Sequence, residues 1–297
     1  MEVILADKAG FCFGVKRAIN MASEAALSRK GKVYTYGPLI HNPQAVEGLR
    51  REGLEIINDV GELDNGVLII RSHGIHPGLL KGIDLSKIEI IDATCPFVKK
   101  TQEKAKLLYE EGYRVVVLGQ AEHPEGRAIV GYAGDEAVVI NPNQSLPELD
   151  LGAKVGVVAQ TTLNIESFIR VVGHLLATTK ELRVFNTICN ATAETQKAAL
   201  ELARRVDLMI VVGGKNSANT TRLAKLCAVC GHPSHHIETA SELELEWFRG
   251  VKRVGVTAGS STPGWVIEEV LDRLRSLGKS RRLERKDPNQ REKLKSG

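Results

Sequence analysis

Short apolar runs end in glycine at three matching places along the chain: Val33-Tyr34-Thr35-Tyr36-Gly37, Val115-Val116-Val117-Leu118-Gly119 and Met209-Ile210-Val211-Val212-Gly213. Runs of this length bounded by turn residues predict buried strands of the kind parallel sheets use. A stretch of helical period precedes each run. Val15, Ala18, Ile19, Ala22 and Ala26 share one helical face; so do Val98, Ala105 and Leu108, and Ala199, Leu202, Ala203 and Val206. Pro96 suits the first turn of the second helix. Further on, a second apolar run (67–70, 155–158, 254–257) opens into polar residues: Ser72-His73-Gly74, Gln160-Thr161-Thr162 and Ser260-Ser261. Helix, strand, polar turn, strand thus recurs three times, and such a repeat governs the architecture before any single element does.

A cysteine opens each repeat: Gly10-Phe11-Cys12-Phe13-Gly14, Ala93-Thr94-Cys95-Pro96 and Thr187-Ile188-Cys189-Asn190. Gly37, Gly119 and Gly213 stand at matching distances after these cysteines. Polar clusters follow the glycines: His41-Asn42, His123-Pro124-Glu125 and Asn216-Ser217-Ala218-Asn219. The expected fold is α/β, with three pseudo-threefold-related units of mostly parallel sheet around a central pocket. The expected boundaries are 1–94, 95–188 and 189–278, with a basic, flexible tail at 279–297. Ligands of open α/β sheets gather beyond the carboxyl ends of strands, where all these polar clusters fall.

Composition narrows the class without naming a partner. The 297 residues are 43% hydrophobic and 26% charged, an ordinary globular balance. The net charge of +4 is uneven: residues 279–297 hold eight Lys/Arg against three acids, which leaves the body at −1. The basic tail therefore reads as a solvated end, and no nucleic-acid partner is expected. No apolar run approaches the ~20 residues a bilayer needs, and the first residues lack a signal-peptide pattern. Five cysteines, odd and sparse, argue against a secreted disulfide framework and for a reducing cytoplasm.

Three thiolates without local partners suit a metal centre with one open position. Soft sulfur favours zinc, copper(I) or an iron–sulfur cluster. Zinc sites usually draw on pairs two to four residues apart, which Cys12, Cys95 and Cys189 lack. A four-iron, four-sulfur cluster on three cysteines would leave one iron open to a substrate oxygen. The competing reading is three buried structural thiols, and the matched repeat positions weigh against it. Cys227 and Cys230 form a Cys-x-x-Cys beside His232, His235 and His236. It could bind zinc or act as a redox pair, but the helical spacing of Leu223, Leu226 and Cys227 reads as core. His41, His73 and His123, at repeat-equivalent strand ends, could donate to an anion. Ser217, Asn219 and Ser261 could add neutral donors. Glu125 is the sole carboxylate of this set, and a carboxyl in a dry pocket can deliver protons near neutral pH.

These residues resemble the 4-hydroxy-3-methylbut-2-enyl diphosphate reductase family of the non-mevalonate isoprenoid pathway, from about residue 1 to 275. The likeness rests on Gly10-Phe11-Cys12-Phe13-Gly14-Val15, His41-Asn42-Pro43, Ser72-His73-Gly74, Asp92-Ala93-Thr94-Cys95-Pro96, His123-Pro124-Glu125, Gln160-Thr161-Thr162, Thr187-Ile188-Cys189, Lys215-Asn216-Ser217 and Thr257-Ala258-Gly259. It implies an iron–sulfur oxidoreductase with one [4Fe-4S] cluster per chain on Cys12, Cys95 and Cys189. His41, His73, His123, Thr161, Ser217, Asn219 and Ser261 would hold the allylic diphosphate. Glu125, Thr161 and His123 would serve the chemistry, with Glu125 the proton source. Reduced ferredoxin or flavodoxin would supply two electrons, giving isopentenyl and dimethylallyl diphosphate. Ala218, Gly126, Ala128 and Thr195 depart from residues common in the family and bear on substrate affinity. The rival readings are a zinc or iron hydrolase of a phosphorylated substrate, and a binding protein working through its basic tail.

Overall fold

The computed structural model describes residues 1–28, 31–145 and 150–286. The chain begins with β1 (Glu2–Leu5), α1 (Phe13–Ser28), β2 (Val33–Tyr36), α2 (Pro43–Arg51), β3 (Leu54–Ile57), β4 (Gly66–Ile70), α3 (Pro77–Leu80) and β5 (Ile88–Asp92). Then come α4 (Pro96–Glu110), β6 (Arg114–Leu118), α5 (Pro124–Val130), β7 (Val138–Ile140), β8 (Lys154–Ala159), α6 (Ile165–Thr178) and β9 (Glu181–Val184). The last part contains α7 (Asn190–Ala203), β10 (Leu208–Val212), α8 (Ala218–Ala228), β11 (Ser234–Ile237), β12 (Arg253–Ala258) and α9 (Gly264–Lys286).

The strands form three four-stranded sheets, ordered β3-β2-β4-β5, β7-β6-β8-β9 and β11-β10-β12-β1, and every pairing is parallel. All three share one topology, as the repeat predicts. The same backbone bond recurs in each: the N–H groups of Gly37, Gly119 and Gly213 donate to the carbonyls of Ile57, Ile140 and Ile237 at 2.8, 2.9 and 2.9 Å. The fourth place in the third sheet belongs to β1, with Val3 opposite Val254 and Leu5 opposite Val256. The N-terminal strand, read from sequence with the first unit, thus completes the last sheet. In each repeat the cysteine-led helix follows a fourth strand, so the strand before Cys12 fills the edge that β12 would otherwise leave open.

Two compact units partition the chain: Met1–Cys12 with Glu194–Gly297, and Phe13–Ala193. The first unit contains the β11-β10-β12-β1 sheet. Both of its faces are covered, which is why β10 is apolar throughout. Leu208, Ile210 and Val212 pack with Val266, Val270 and Leu274 of α9. Met209 and Val211 pack on the opposite face with Ala199 and Leu202 of α7 and Leu223 of α8. The second unit repeats this arrangement. Val116 and Leu118 meet Phe168, Val171 and Leu175 of α6, while Val115 and Val117 meet Ala105 and Leu108 of α4.

Cys227 is fully buried with Leu223 and Val211, and burial pushes its thiol up to about 12, so it stays a protonated core residue. The Cys230 thiol donates to the Leu226 carbonyl at 3.7 Å. The segment expected to be a flexible tail from residue 279 continues α9 as far as Lys286, and 287–297 lie outside the described residues. Among the described residues, no helix is long and apolar enough to cross a membrane.

Candidate functional site

Each of the three cysteines is outside any disulfide, partly buried, and placed just before a helix: Cys12 before α1, Cys95 before α4, Cys189 before α7. One backbone bond anchors each to the strand-end loop beside it. The N–H of Cys12 donates to the Ser260 carbonyl (3.0 Å), that of Cys95 to Ser72 (2.9 Å) and that of Cys189 to Thr161 (2.8 Å). Each cysteine is thereby tied to a loop that carries candidate ligand-binding residues. Sulfur donors suit soft-metal ligation. Cys12 lies in the first unit and Cys95 and Cys189 in the second. Around Cys95 the packing is tight: a Cβ on Gly14 would stand 2.4 Å from its sulfur. Arg17 of α1 donates to the carbonyl of Thr94 (3.2 Å) and to that of Asp92 (3.4 Å).

The second unit gathers the three histidines. The ring centroids of His41 and His73 are 4.5 Å apart, His41 and His123 5.2 Å, His73 and His123 5.6 Å. One ligand atom from each lies within 4.8 Å of the others. His41 and His123 occupy equivalent places, after β2 and β6. His73 does not share that place; it follows β4, the position that Ser261 takes after β12. The trio therefore brings together two kinds of strand end, a meeting the linear repeat could not show. Burial pushes all three below the usual imidazole range, His123 to about 4, and Arg71 adds to the effect on each. His73 is lowered further by its two neighbours, and its Nδ1 is sealed from solvent without a hydrogen-bond partner. His123 caps α5 and accepts the Glu125 N–H at Nδ1, 3.2 Å. A neutral ring so used carries its proton on Nε2 and can still donate to an anion.

Glu125, in the first turn of α5, is 2% exposed. Burial raises its pKa, and two bonds from Thr161 oppose the rise: the N–H to Oε1 at 2.6 Å and the hydroxyl to Oε2 at 3.0 Å. An acid held this way keeps its proton nearer neutral pH than a solvated glutamate does. Gly126 has a local cause, because a Cβ there would meet the Gln120 carbonyl at 2.4 Å.

The first unit holds the remaining candidates. Ser217 caps α8 and accepts from the N–H of Thr220 (3.3 Å) and from its hydroxyl (3.1 Å). Asn219 donates to the Ser260 hydroxyl at 2.9 Å. Ser261 is buried beside it in sequence, after β12. Thr195 donates to the Lys8 carbonyl at 3.2 Å, a bond inside this unit. Lys215 is occupied by Glu242, 2.6 Å away. Sequence reasoning missed Arg71 and Thr220, and placed Ser260 at a polar strand end without giving it a partner. The available signal for Arg71 was a cation at the carboxyl end of a buried strand, next to Ser72-His73-Gly74.

The LytB protein family matches residues 3–275 of the chain. A 4-hydroxy-3-methylbut-2-enyl diphosphate reductase from Pelobacter propionicus is 53% identical over 279 residues, covering 94% of this chain and 99% of that protein. The Geobacter sulfurreducens enzyme of the same name is 51% identical over 277 residues, covering 93% and 98%. A solved structure of this reductase, described as the terminal enzyme of the non-mevalonate pathway, is 46% identical. It superposes with a TM-score of 0.73, covering 93% of this chain and all of that one. The corresponding Plasmodium falciparum reductase, at 26% identity, gives a TM-score of 0.82 with 91% and 87% covered. Relatives this similar over nearly their whole length show that the chain belongs to the LytB family, the 4-hydroxy-3-methylbut-2-enyl diphosphate reductases.

Proposed function

We propose that the protein reductively removes the C4 hydroxyl of 4-hydroxy-3-methylbut-2-enyl diphosphate. Two electrons and two protons convert it to water and a mixture of isopentenyl and dimethylallyl diphosphate. The near-full-length likeness to reductases of that name, at 53% identity, carries the reading. Cys12, Cys95 and Cys189 are the ligands of one [4Fe-4S] cluster. The donor set fits: three cysteine sulfurs outside any disulfide, in repeat-equivalent places, each at a helix start and each tied by one backbone bond to a polar strand-end loop. When bound, the cluster supplies electrons and a Lewis-acidic iron.

The chain's own residues do the rest. His41, His73 and His123, with Ser217, Asn219 and Ser261, bind the diphosphate and fix the allylic chain relative to the acid. Binding far from the reacting carbon orients it. Hydroxide is a poor leaving group, so a proton must reach the departing oxygen. Glu125 holds that proton, and the Thr161 hydroxyl, 3.0 Å from Oε2, relays it. Reduced ferredoxin or flavodoxin is the electron donor, and the cytoplasm is the compartment, in keeping with an odd and sparse cysteine count.

Anaerobic purification followed by iron, sulfide and absorption measurements, then turnover with a chemical reductant, tests the reading. Four irons and four sulfides per chain with allylic reduction are expected. Metal without acid-labile sulfide, or hydrolysis of the diphosphate, would replace it with a hydrolase.

A further inference from the structure

Arg71 is absent from every residue set assigned above, yet it sits where charge matters. Arg71 is half-buried two residues before His73, and its charge disfavours protonation of His41, His73 and His123. Among the described residues it has no carboxylate partner, and its Nε is sealed from solvent without an acceptor. Arg127, the next cation, is near enough to oppose it, and Arg127 itself is paired with Glu122. The face of Tyr36 lies 5.7 Å from the guanidinium carbon. The chain also makes room for this group. Gly37 turns at φ +67°, and a Cβ there would stand 2.7 Å from Nη1. A cation taken partly out of water without a counter-charge is costly unless an anion completes it. Here the neighbours are three neutral imidazoles and a second cation.

We propose that Arg71 is a further substrate-binding residue, the fixed positive charge of the anion pocket formed with His41, His73 and His123. The inference rests on the reading that this pocket takes the diphosphate. Neutral imidazoles can donate hydrogen bonds but bring no charge. Arg71 stays ionised at any working pH, and its planar fork matches phosphate oxygens. The charge balance of the bound diphosphate therefore falls to it.

The test uses the full, cluster-loaded chain, with inorganic pyrophosphate as the probe in titration calorimetry. Arg71→Gln should weaken pyrophosphate binding at pH 8 by about tenfold or more, and Arg71→Lys by less, because charge-assisted bonds to phosphate are the strong ones. Substrate KM should rise by a similar factor in Arg71→Gln, while kcat falls less. The salt dependence of binding should flatten, which a merely structural strut would not cause. In the wild-type protein, pyrophosphate should shield Arg71 from phenylglyoxal, read by mass spectrometry; this arm needs no variant to fold. Unchanged pyrophosphate affinity in Arg71→Gln, or labelling of Arg71 that pyrophosphate leaves unaltered, overturns the proposal. If the wild type turns over the allylic diphosphate while either of those results is seen, only the Arg71 assignment falls. If the wild type neither binds pyrophosphate nor turns over, the reading of the pocket falls with it.

Discussion

Gly14→Ala places one methyl group against a proposed cluster ligand. Gly14 lies in the first turn of α1, where glycine costs helix stability relative to alanine. The added Cβ would stand 2.4 Å from Cys95 Sγ and 3.1 Å from Cys95 Cβ. Comfortable contacts between such atoms are about 3.5–4.0 Å. Either the sulfur or the start of α1 must therefore move by about 1 Å or more. Metal–sulfur bonds hold to within ~0.2 Å of about 2.3 Å, so a shift of that size is several times what ligation tolerates. Overpacking of this kind also costs about 1–3 kcal/mol, which for a chain of this size lowers Tm by roughly 2–10 °C. The assay is iron and acid-labile sulfide per chain after anaerobic reconstitution, with melting measured on the same samples. Gly173→Ala is the control. It lies in α6 with nothing within 4 Å of the added Cβ, and should leave the iron content at wild-type level. Full iron and sulfide in Gly14→Ala, at an unchanged Tm, would refute the role of Cys95 packing in building the site.

Other predictions follow from the same geometry. Glu125→Gln should retain the cluster and lose most turnover, by about 10²-fold or more; near-normal kcat would remove Glu125 as the proton source. Thr161→Val deletes the hydroxyl bond that opposes the raised Glu125 pKa. The alkaline limb of the pH–rate profile, where Glu125 loses the proton it must donate, should then move to higher pH, and an unmoved limb counts against the relay. Cys95→Ser should lose iron while keeping the parallel-sheet circular dichroism; iron at wild-type level counts against the ligand set. The histidine trio makes the ligand-free protein acid-sensitive. With His123 lowered from 6.5 to about 4, the unfolded chain takes up its proton first. The stabilisation is whole above pH 6.5 and is lost as pH falls toward 4. Up to about 3 kcal/mol rides on that one ring. Urea midpoints at pH 7 and pH 4.5 that coincide would contradict it.

The central strands were legible because their chemistry is unmixed. β2, β6 and β10 lie at interior positions of sheets covered on both faces, so apolar runs ending in glycine identify them. The outer strands were not legible. β3, β5 and β11 carry Glu55, Glu89 and His235-His236 at partly exposed edges, and the strand signal is diluted there. The cysteines could be found because each opens a repeat, and His41 and His123 because each begins the helix after a central strand. Arg71 stayed hidden because its meaning comes from non-local neighbours. No spacing in the chain shows that one arginine's charge acts on His41, His73 and His123 together. The pairing of Asn219 with Ser260 was hidden in the same way, since it joins the first turn of α8 to the loop after β12, far away in sequence.

The pairing of β1 with β12 has a consequence for how the molecule is made. β1 can find its place only after residue 253 has emerged from the ribosome, since Glu2 lies opposite Arg253. Cys12 is thus synthesised long before its neighbour Ser260 exists, and ordering it requires closing the whole stretch of chain between them. Nascent chains halted before that point should leave the amino-terminal segment open to protease, however well the intervening sheets have formed.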